Sequence, residues 1–304
     1  MEMAIVFIDH VSLKRSITGK IIDLLLRTGL DLVGVKMMVP DKNFIEKFCK
    51  IKKCKISRDY VKYKYLGKRI MVVVLRGDNA IEKVKNIAGK LRTNKINNNW
   101  KGTTIRGMFY GGYSKKGIFL KLFENVIQIA SDKNEAEKLI ELVWGEYRDQ
   151  GRLSFLKGYE LKPDEERTFI ILKPETMKFR LIGKVIDDLS RSGLYVVGAM
   201  IVKPDKKILE KHYYHLKDKP FFPKLLEYMS SSNLMLMVYQ GPKGEVVKTI
   251  KDIVGKTNPA KAEIGTIRRS YGHNKQQNVI HASDSPENTE RELKIWDQEN
   301  KIVS

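Results

Sequence analysis

Short apolar runs alternate with segments of helical spacing along the second half of the chain. Residues 168–172 and 195–202 are runs of mostly branched apolar residues, which is typical of buried strands. Between them, residues 181–191 repeat apolar side chains at helical spacing, and Gly193 follows where a helix commonly ends. The pattern predicts a strand, a helix and a second strand.

The alternation continues toward the carboxyl end of the chain. It predicts helices over residues 204–215, 221–229 and 243–254 and a strand over residues 234–239. This order of elements is typical of a ferredoxin-like antiparallel sheet covered on one side by helices. The first half follows the same order, with strands expected near residues 3–8, 32–38 and 70–75.

The chain contains an internal repeat. Residues 18–49 and 182–213 align without a gap at an offset of 164 positions. Ordered matches over this length indicate two homologous domains. The identical pairs include Gly19 and Gly183, Gly29 and Gly193, Gly34 and Gly198, and Pro40 and Pro204. We expect a mixed α/β (α+β) chain of two tandem ferredoxin-like βαββαβ domains, at residues 1–150 and 167–304, joined by a linker at residues 151–166.

Composition places the chain among globular proteins, with 42% apolar and 31% charged residues in a length of 304. No stretch predicts a signal peptide or a membrane-spanning helix, and the two cysteines fit neither a zinc site nor a disulfide framework. We therefore expect a cytoplasmic protein that does not bind membranes.

The net charge of +21 is uneven along the chain. Residues 1–150 hold 30 Lys and Arg against 16 Asp and Glu, and so contribute +14 of it. A basic balance favours polyanionic partners such as nucleotides or nucleic acid. A lysine-rich composition with solvated faces is the alternative.

Candidate chemistry is concentrated in the second copy of the repeat. His281 ends a short apolar strand, and an acidic helix that contains Glu292 follows it. A carboxylate can hold an imidazole in one tautomer and aim it at a ligand. With Lys173 and Arg268 to neutralise phosphate charge, these residues suit a phosphohistidine intermediate, because phosphoryl transfer depends on positioning and charge neutralisation.

Five motifs occur in the second copy in a fixed order. They are residues 168–174 (TFIILKP), 211–222 (KHYYHLKDKPFF), 255–260 (GKTNPA), 265–268 (GTIR) and 278–285 (NVIHASDS). In order and spacing they resemble the nucleoside diphosphate kinase family, and the resemblance covers nearly all of residues 167–297. It implies transfer of a γ-phosphate from a nucleoside triphosphate to a nucleoside diphosphate, in a ping-pong reaction through a phosphohistidine at His281.

The resemblance also implies a role for each matching residue. Lys173 would contact the transferred phosphate, Thr257 the β-phosphate, Arg268 and Lys251 the phosphates, and Asn278 the sugar 3′-hydroxyl. Phe221 would lie against the base, and Tyr213 would back the histidine. Ser283 would support Glu292, which would bond one imidazole nitrogen of His281 and leave the other as the nucleophile. Mg²⁺ would arrive on the nucleotide phosphates, so no protein metal ligands are expected.

The second copy departs from the family pattern at three places. Lys251 stands where the family usually has an arginine. Lysine lacks the planar fork of N–H donors in a guanidinium, and we expect this loss to weaken the interaction with the phosphates by about 1–2 kcal/mol. Glu175-Thr176 and Gln276-Gln277 replace the usual Asp-Gly and Gly-Arg pairs. A non-catalytic nucleotide- or nucleic-acid-binding protein of the same fold is therefore the alternative function.

The first copy lacks the residues of this chemistry. Asp9 stands at the position of Lys173, Cys49 at that of Tyr213, and Ile129 or Gln128 at that of His281. We expect this copy to be inactive and to provide the partner surface within a chain that forms homo-oligomers. The alternatives are nucleic-acid binding through residues 47–64 and their interleaved tyrosines, and regulatory nucleotide binding.

Overall fold

The computed structural model describes residues 1–53, 58–89, 103–109, 126–147 and 161–297. The first copy consists of β1 (Glu2–Ile8), α1 (His10–Lys14), α2 (Thr18–Leu26), β2 (Asp31–Met38), α3 (Lys42–Ile51), α4 (Arg58–Tyr65), β3 (Ile70–Gly77), α5 (Ala80–Ala88), α6 (Ile105–Met108), β4 (Ile127–Ile129) and α7 (Lys133–Ile140), which runs into a π-helical turn at Glu141–Glu146. Residues 151–160 of the expected linker lie outside the described ranges.

The second copy repeats this order of elements. It consists of β5 (Glu165–Leu172), α8 (Pro174–Lys178), α9 (Ile182–Leu189), β6 (Tyr195–Val202), α10 (Lys206–His212), α11 (Phe222–Ser230), β7 (Leu234–Pro242), α12 (Val246–Val254), α13 (Ile267–Tyr271), β8 (Ile280–Ala282) and α14 (Pro286–Ile295). The mixed α/β fold and its antiparallel strand pairing agree with the sequence prediction. Within the described ranges, no helix combines the length and apolarity that a bilayer crossing requires.

All eight strands belong to one sheet, in the order β4-β1-β3-β2-β6-β7-β5-β8. The two copies meet where β2 pairs antiparallel with β6, through Lys36 and Met200. These residues occupy equivalent positions of the repeat, so the seam between the copies has approximate two-fold symmetry. Sequence analysis predicted two sheets and did not predict that they join.

Helices α2 and α9 pack across this seam with their backbones in contact. A Cβ atom added to Gly19 would lie 2.3 Å from the backbone nitrogen of Asp187, and one added to Gly183 would lie 2.3 Å from that of Asp23. Only glycine allows this approach, because a methyl group would overlap the facing helix. The two repeated glycines therefore define the contact surface of the copies.

A buried lysine secures the seam from the first copy. Lys36 is fully buried, and its ammonium group donates hydrogen bonds to the carbonyl oxygen of Val143, at 2.7 Å, and to that of Tyr147. Both carbonyls lie at the carboxyl end of the last helical segment of this copy, where partial negative charge accumulates. The interaction ties that segment to the central strand β2.

Helices cover both faces of the sheet, so the prediction of one covered side was wrong. On β5, Ile170 and Leu172 pack in the core that contains the apolar residues of α9 and α12. Phe169 and Ile171 pack instead with apolar residues of α10, α11 and α14. Because side chains alternate across a strand, these two sets lie on opposite faces.

Candidate functional site

An open cavity of about 1350 Å³ lies at one end of the second copy. Nine of the ten site residues proposed from the sequence line it, contributed by α12, α13, β8, α14 and the loops, two of them directly after β5 and α10. They are Lys173, Tyr213, Phe221, Lys251, Thr257, Arg268, Asn278, His281 and Glu292. The tenth, Ser283, lies buried behind Glu292.

The imidazole of His281 is held by a carboxylate on the helix that follows it. Its Nε2 lies 3.1 Å from Oε2 of Glu292, and the hydroxyl of Ser283 donates to the same oxygen at 2.6 Å. Burial would raise the pKa of Glu292, but the hydrogen bond and charge of His281 outweigh it and lower the pKa to about 2. The carboxylate is therefore ionised and accepts a hydrogen bond from Nε2–H, so that Nδ1 carries the free lone pair of the neutral ring.

A second histidine packs against the first, and sequence analysis missed its part in the site. The ring of His212 lies 4.7 Å from that of His281, closer than the ring of Tyr213 at 6.3 Å. The indole Nε1 of Trp296 donates to Nδ1 of His212 at 3.1 Å. Burial and the proximity of His281 place the pKa of His212 well below its ordinary value, so this ring is neutral. Its adjacency to Tyr213 in the sequence was the available signal.

Lys173 is almost completely buried at the end of β5. Its ammonium group donates to the carbonyl oxygen of Gln276 at 2.5 Å and to Oδ1 of Asn278 at 2.8 Å, and lies 5.4 Å from the centre of the Tyr228 ring. Burial lowers the pKa of Lys173 to about 8, against the opposing effect of the Glu175 carboxylate. The group has three N–H bonds, so one remains for a ligand in the cavity.

The backbone at Val279, two residues before His281, is strained and is held by hydrogen bonds. Val279 has a φ of 63°, in a region that β-branched residues rarely adopt. Its N–H donates to Glu175 at 2.7 Å, and its carbonyl oxygen accepts the hydroxyl of Thr176 at 2.6 Å. Sequence analysis treated the pair Glu175-Thr176 only as a departure, whereas in the structure it fixes the entry to β8. A strained residue held by its neighbours is characteristic of functional sites.

Arg268 both braces the site and faces the cavity. Its guanidinium donates to the carbonyl oxygens of Gly255, at 2.8 Å, and Ile280, at 3.0 Å. Arg106 of the first copy donates in the same way to the carbonyls of Gly89 and Ile127. This arginine is therefore a structural element of both copies, and the guanidinium of Arg268 retains further N–H bonds for a ligand.

The remaining site residues lie around the rim or hold the loops. Asn278 is buried, and its amide nitrogen donates to the carbonyls of Thr257 and Lys275, each at 2.9 Å. Lys251 is half exposed, with Nζ 3.7 Å from Asp284. Phe221 is half exposed at the cavity wall, as a ring must be to stack on a ligand.

The one metal-compatible cluster among the described residues does not suit Mg²⁺. It consists of His212, His281 and Glu292, whose ligand atoms lie within 4.8 Å of one another. Mg²⁺ prefers an octahedral set of oxygen ligands, and imidazole-rich sets suit transition metals. The cluster is therefore a poor match to the ligands that Mg²⁺ prefers.

The corresponding place in the first copy has different chemistry. Gln128 pairs with Phe7 in the sheet as His281 pairs with Ile171, so Gln128 is the residue at the histidine position. Asp9 stands at the position of Lys173, and its carboxylate forms a buried ion pair with Lys64 at 2.7 Å. The positive charge of Lys64, which could otherwise attract a phosphate, is therefore neutralised by Asp9.

The basic segment of the first copy presents fewer rings than its sequence suggested. Tyr65 is buried, and Tyr63 is exposed with the ammonium group of Lys68 4.2 Å above its ring. Residues 54–57 of this segment lie outside the described ranges. Nucleic-acid binding by this copy remains a prediction.

Comparison with known proteins places both copies in one family. The family model described as "Nucleoside diphosphate kinase" matches residues 2–148 and again residues 166–302. A nucleoside diphosphate kinase of Symbiobacterium thermophilum is 44% identical over 131 residues, which are 43% of this chain and 86% of that protein. One of Methanocaldococcus jannaschii is 40% identical over 138 residues, which are 45% of this chain and 97% of that protein.

One solved structure that is similar to this chain is also that of a nucleoside diphosphate kinase. The crystal structure of nucleoside diphosphate kinase from Encephalitozoon cuniculi is 41% identical, covers 46% of this chain and 94% of its own, and superposes with a TM-score of 0.42. Each relative spans less than half of this chain and most of its own length. The chain therefore belongs to the nucleoside diphosphate kinase family and carries two matches to its domain.

Proposed function

We propose that the second copy is an active nucleoside diphosphate kinase that transfers a γ-phosphate from a nucleoside triphosphate to a nucleoside diphosphate. The observation that carries the proposal is the contact of His281 Nε2 with the ionised Glu292, which leaves Nδ1 as the nucleophilic nitrogen. The family assignment supports the same reaction.

The reaction consists of two mirrored displacements. In the first, Nδ1 of His281 forms a bond to the γ-phosphorus while the bond from that phosphorus to the β–γ bridging oxygen breaks. The nucleoside diphosphate leaves with the bonding electrons, and Glu292 stabilises the positive charge that develops on the ring. A terminal phosphate oxygen of a second nucleoside diphosphate then attacks the phosphohistidine and restores the free imidazole.

Phosphate charge would be neutralised by residues that already converge on the cavity. The buried ammonium of Lys173 would donate to the transferred group, where low local dielectric strengthens the interaction. Arg268 and Thr257 would contact the other phosphates, Lys251 would add a mobile charge at the rim, and Asn278 would meet the sugar. Mg²⁺ would enter on the β- and γ-phosphates and lower the charge repulsion there.

Base recognition in this proposal depends on stacking. Phe221 lies half exposed on the cavity wall, and every nucleic-acid base has a π-face that such a ring can cover. Phe222 packs against the core, so it is not available for this role. We therefore expect weak discrimination among bases.

Phosphorylation of the isolated protein tests the proposal. Full-length protein incubated with γ-labelled ATP and Mg²⁺ should gain an acid-labile, base-stable label and should then convert GDP to GTP. His281→Gln should lose both, whereas His273→Gln, at an exposed position, should keep both. Label that persists in His281→Gln, or ATP and GDP that yield no GTP with the parent protein, would favour the non-catalytic binding alternative.

We infer that the first copy is catalytically inert and completes the assembly of the second. An amide at Gln128 cannot carry a phosphoryl group on nitrogen, and the Asp9–Lys64 pair offers no free charge. Its β2 and α2 cover the edge strand β6 and the helix α9 of the active copy. In this proposal one chain of about 35.1 kDa supplies one active site, and homo-oligomers form from such chains.

A further inference from the structure

A second cavity, of about 220 Å³, opens on the seam between the two copies. It lies where β2 begins and β3 ends in the first copy, against the loop after α8 and the loop before β7 in the second. The polar residues that line it are Asp31, Arg76, Lys178, Arg180, Ser232 and Asn233. Both copies therefore contribute to it, and neither copy forms it alone.

The cavity holds an excess of positive charge, with three cationic side chains against one carboxylate. Arg180 donates to Oδ1 of Asp31 at 3.0 Å and to the carbonyl oxygen of Gly29 at 3.1 Å, across the seam. Asp31 therefore pairs with Arg180, although the residue opposite Asp31 on the adjacent strand β3 is Arg76. The charges of Arg76 and Lys178 are left without a carboxylate partner among the residues that line the cavity.

Arg76 also has an unsatisfied donor. Its Nε is buried from solvent and makes no hydrogen bond within the described ranges. A buried donor without a partner is costly, and such groups in native proteins usually mark a ligand, an ion or a bound water. An acceptor with negative charge would satisfy Arg76 and offset the local excess of cations.

The opposite end of the seam serves as an internal comparison. The two ends are related by the repeat, so each residue here has a counterpart there. The correspondences are Arg76 with Gln240, Arg180 with Ser16, Asp31 with Tyr195, Lys178 with Lys14, and Asn233 with Arg69. Lys68, the counterpart of Ser232, is held over the ring of Tyr63. The opposite end has cations of its own at Lys14, Lys68 and Arg69, so this end is distinguished by the two arginines that line its cavity.

The backbone at Arg180 directs its side chain toward the first copy. Arg180 and its counterpart Ser16 both adopt left-handed conformations, with φ of 55° and 54°. This conformation is rare for residues other than glycine, and both ends of the seam share it. Here it carries the long side chain of Arg180 across the seam to the first copy.

The size of the cavity limits the ligand. Pockets for drug-sized molecules range from about 300 to 1,000 Å³, and a water molecule occupies about 30 Å³. A volume of about 220 Å³ accommodates a tetrahedral oxyanion with a few waters but excludes a whole nucleotide. We propose that this cavity binds inorganic phosphate between Arg76, Lys178 and Arg180 and thereby links the two copies.

Titration calorimetry with inorganic phosphate tests the proposal. The full-length protein is first saturated with a non-hydrolysable analogue of ATP and Mg²⁺, so that the place of the transferred phosphate beside His281 is also filled. We expect one phosphate per chain, with binding that weakens as NaCl is added. Arg76→Gln, which copies the residue at the opposite end of the seam, should lower the affinity for phosphate at least tenfold. Lys133→Gln, which removes an exposed charge far from the seam, should leave the affinity for phosphate unchanged.

A second variant separates loss of the site from loss of the fold. Ser232→Glu places a carboxylate in the cavity and should abolish phosphate binding, while ADP affinity stays that of the parent. Equal phosphate affinity in the parent and Arg76→Gln, or no phosphate heat in the parent saturated with the ATP analogue, would overturn the proposal. AMP tested under the same conditions shows the source of the anion: phosphate binding without AMP binding supports a free ion, and tighter binding of AMP contradicts it.

Discussion

Oε2 of Glu292 receives two hydrogen bonds, from Nε2 of His281 at 3.1 Å and from the hydroxyl of Ser283 at 2.6 Å. The hydroxyl fixes the carboxylate, and the carboxylate fixes the imidazole. In the proposed reaction this chain of contacts would orient the nucleophile before any nucleotide arrives, so little reorganisation would be needed.

Removal of the carboxylate charge should slow phosphoryl transfer. Glu292→Gln preserves the shape of the side chain but cannot stabilise an imidazolium, and we expect kcat to fall about 10²-fold or more. Steady-state conversion of ATP and GDP to ADP and GTP measures the effect. Glu287→Gln, at an exposed position of the same helix, should change the rate by less than twofold. A similar rate in Glu292→Gln and the parent would contradict this role.

Activity should decline at alkaline pH because Lys173 loses its proton. Its pKa is lowered to about 8, so the charged form predominates below that pH and the neutral form above it. Since kcat/KM reports the free enzyme, its value should fall as pH rises through about 8. Lys173→Arg keeps its charge throughout this range, so its profile should lose the alkaline decline even if its rate is lower. The same decline in both proteins would assign it to another group.

Replacement of Lys251 at the cavity rim by arginine, with its planar guanidinium, should raise kcat/KM. Lys251 is half exposed and lies 3.7 Å from Asp284, so an arginine can be accommodated without repacking the core. We expect Lys251→Arg to raise kcat/KM about 5–30-fold, which corresponds to about 1–2 kcal/mol. Lys248→Arg, at an exposed position of the same helix, is the matched control. A rate that stays the same or falls would show that the lysine carries no penalty.

The glycine contact at the seam should be intolerant of a methyl group. An alanine at 183 would place Cβ 2.3 Å from the backbone nitrogen of Asp23, although alanine normally favours a helix. We expect Gly183→Ala to lower the free energy of unfolding by about 1–3 kcal/mol, measured by urea denaturation. Lys184→Ala, one residue further along the helix and exposed, should leave the stability unchanged or slightly raise it. An equally stable Gly183→Ala would mean that the helices separate at no cost.

Local features of the fold could be predicted from the sequence. The strand predicted at residues 195–202 has those bounds in the structure, and Gly193 adopts the left-handed conformation expected after a helix. Such features depend on periodicity and on residues close in the chain, which a sequence displays directly. The coverage of both sheet faces was not predicted, although the run at residues 169–172 is apolar on both sides of the strand, which is typical of a strand buried on two faces.

Long-range contacts explain what the sequence did not reveal. Glu175 accepts the N–H of Val279, a residue 104 positions away, so nothing near Glu175 indicates its role. Trp296 reaches His212 across 84 positions in the same way. The pairing of Lys36 with Met200 depends on how two folded surfaces fit together, and no local pattern encodes that fit.

The covalent link between the copies has a thermodynamic consequence for the seam formed by β2 and β6. Two separate chains joined by such a contact would come apart on dilution, because their association is second order in protein. Here the partner is tethered, so its effective concentration is fixed by the tether and does not follow the amount of protein in solution. The edge of the second copy should stay covered even when few molecules are present, because the first copy supplies that cover as a tethered surface.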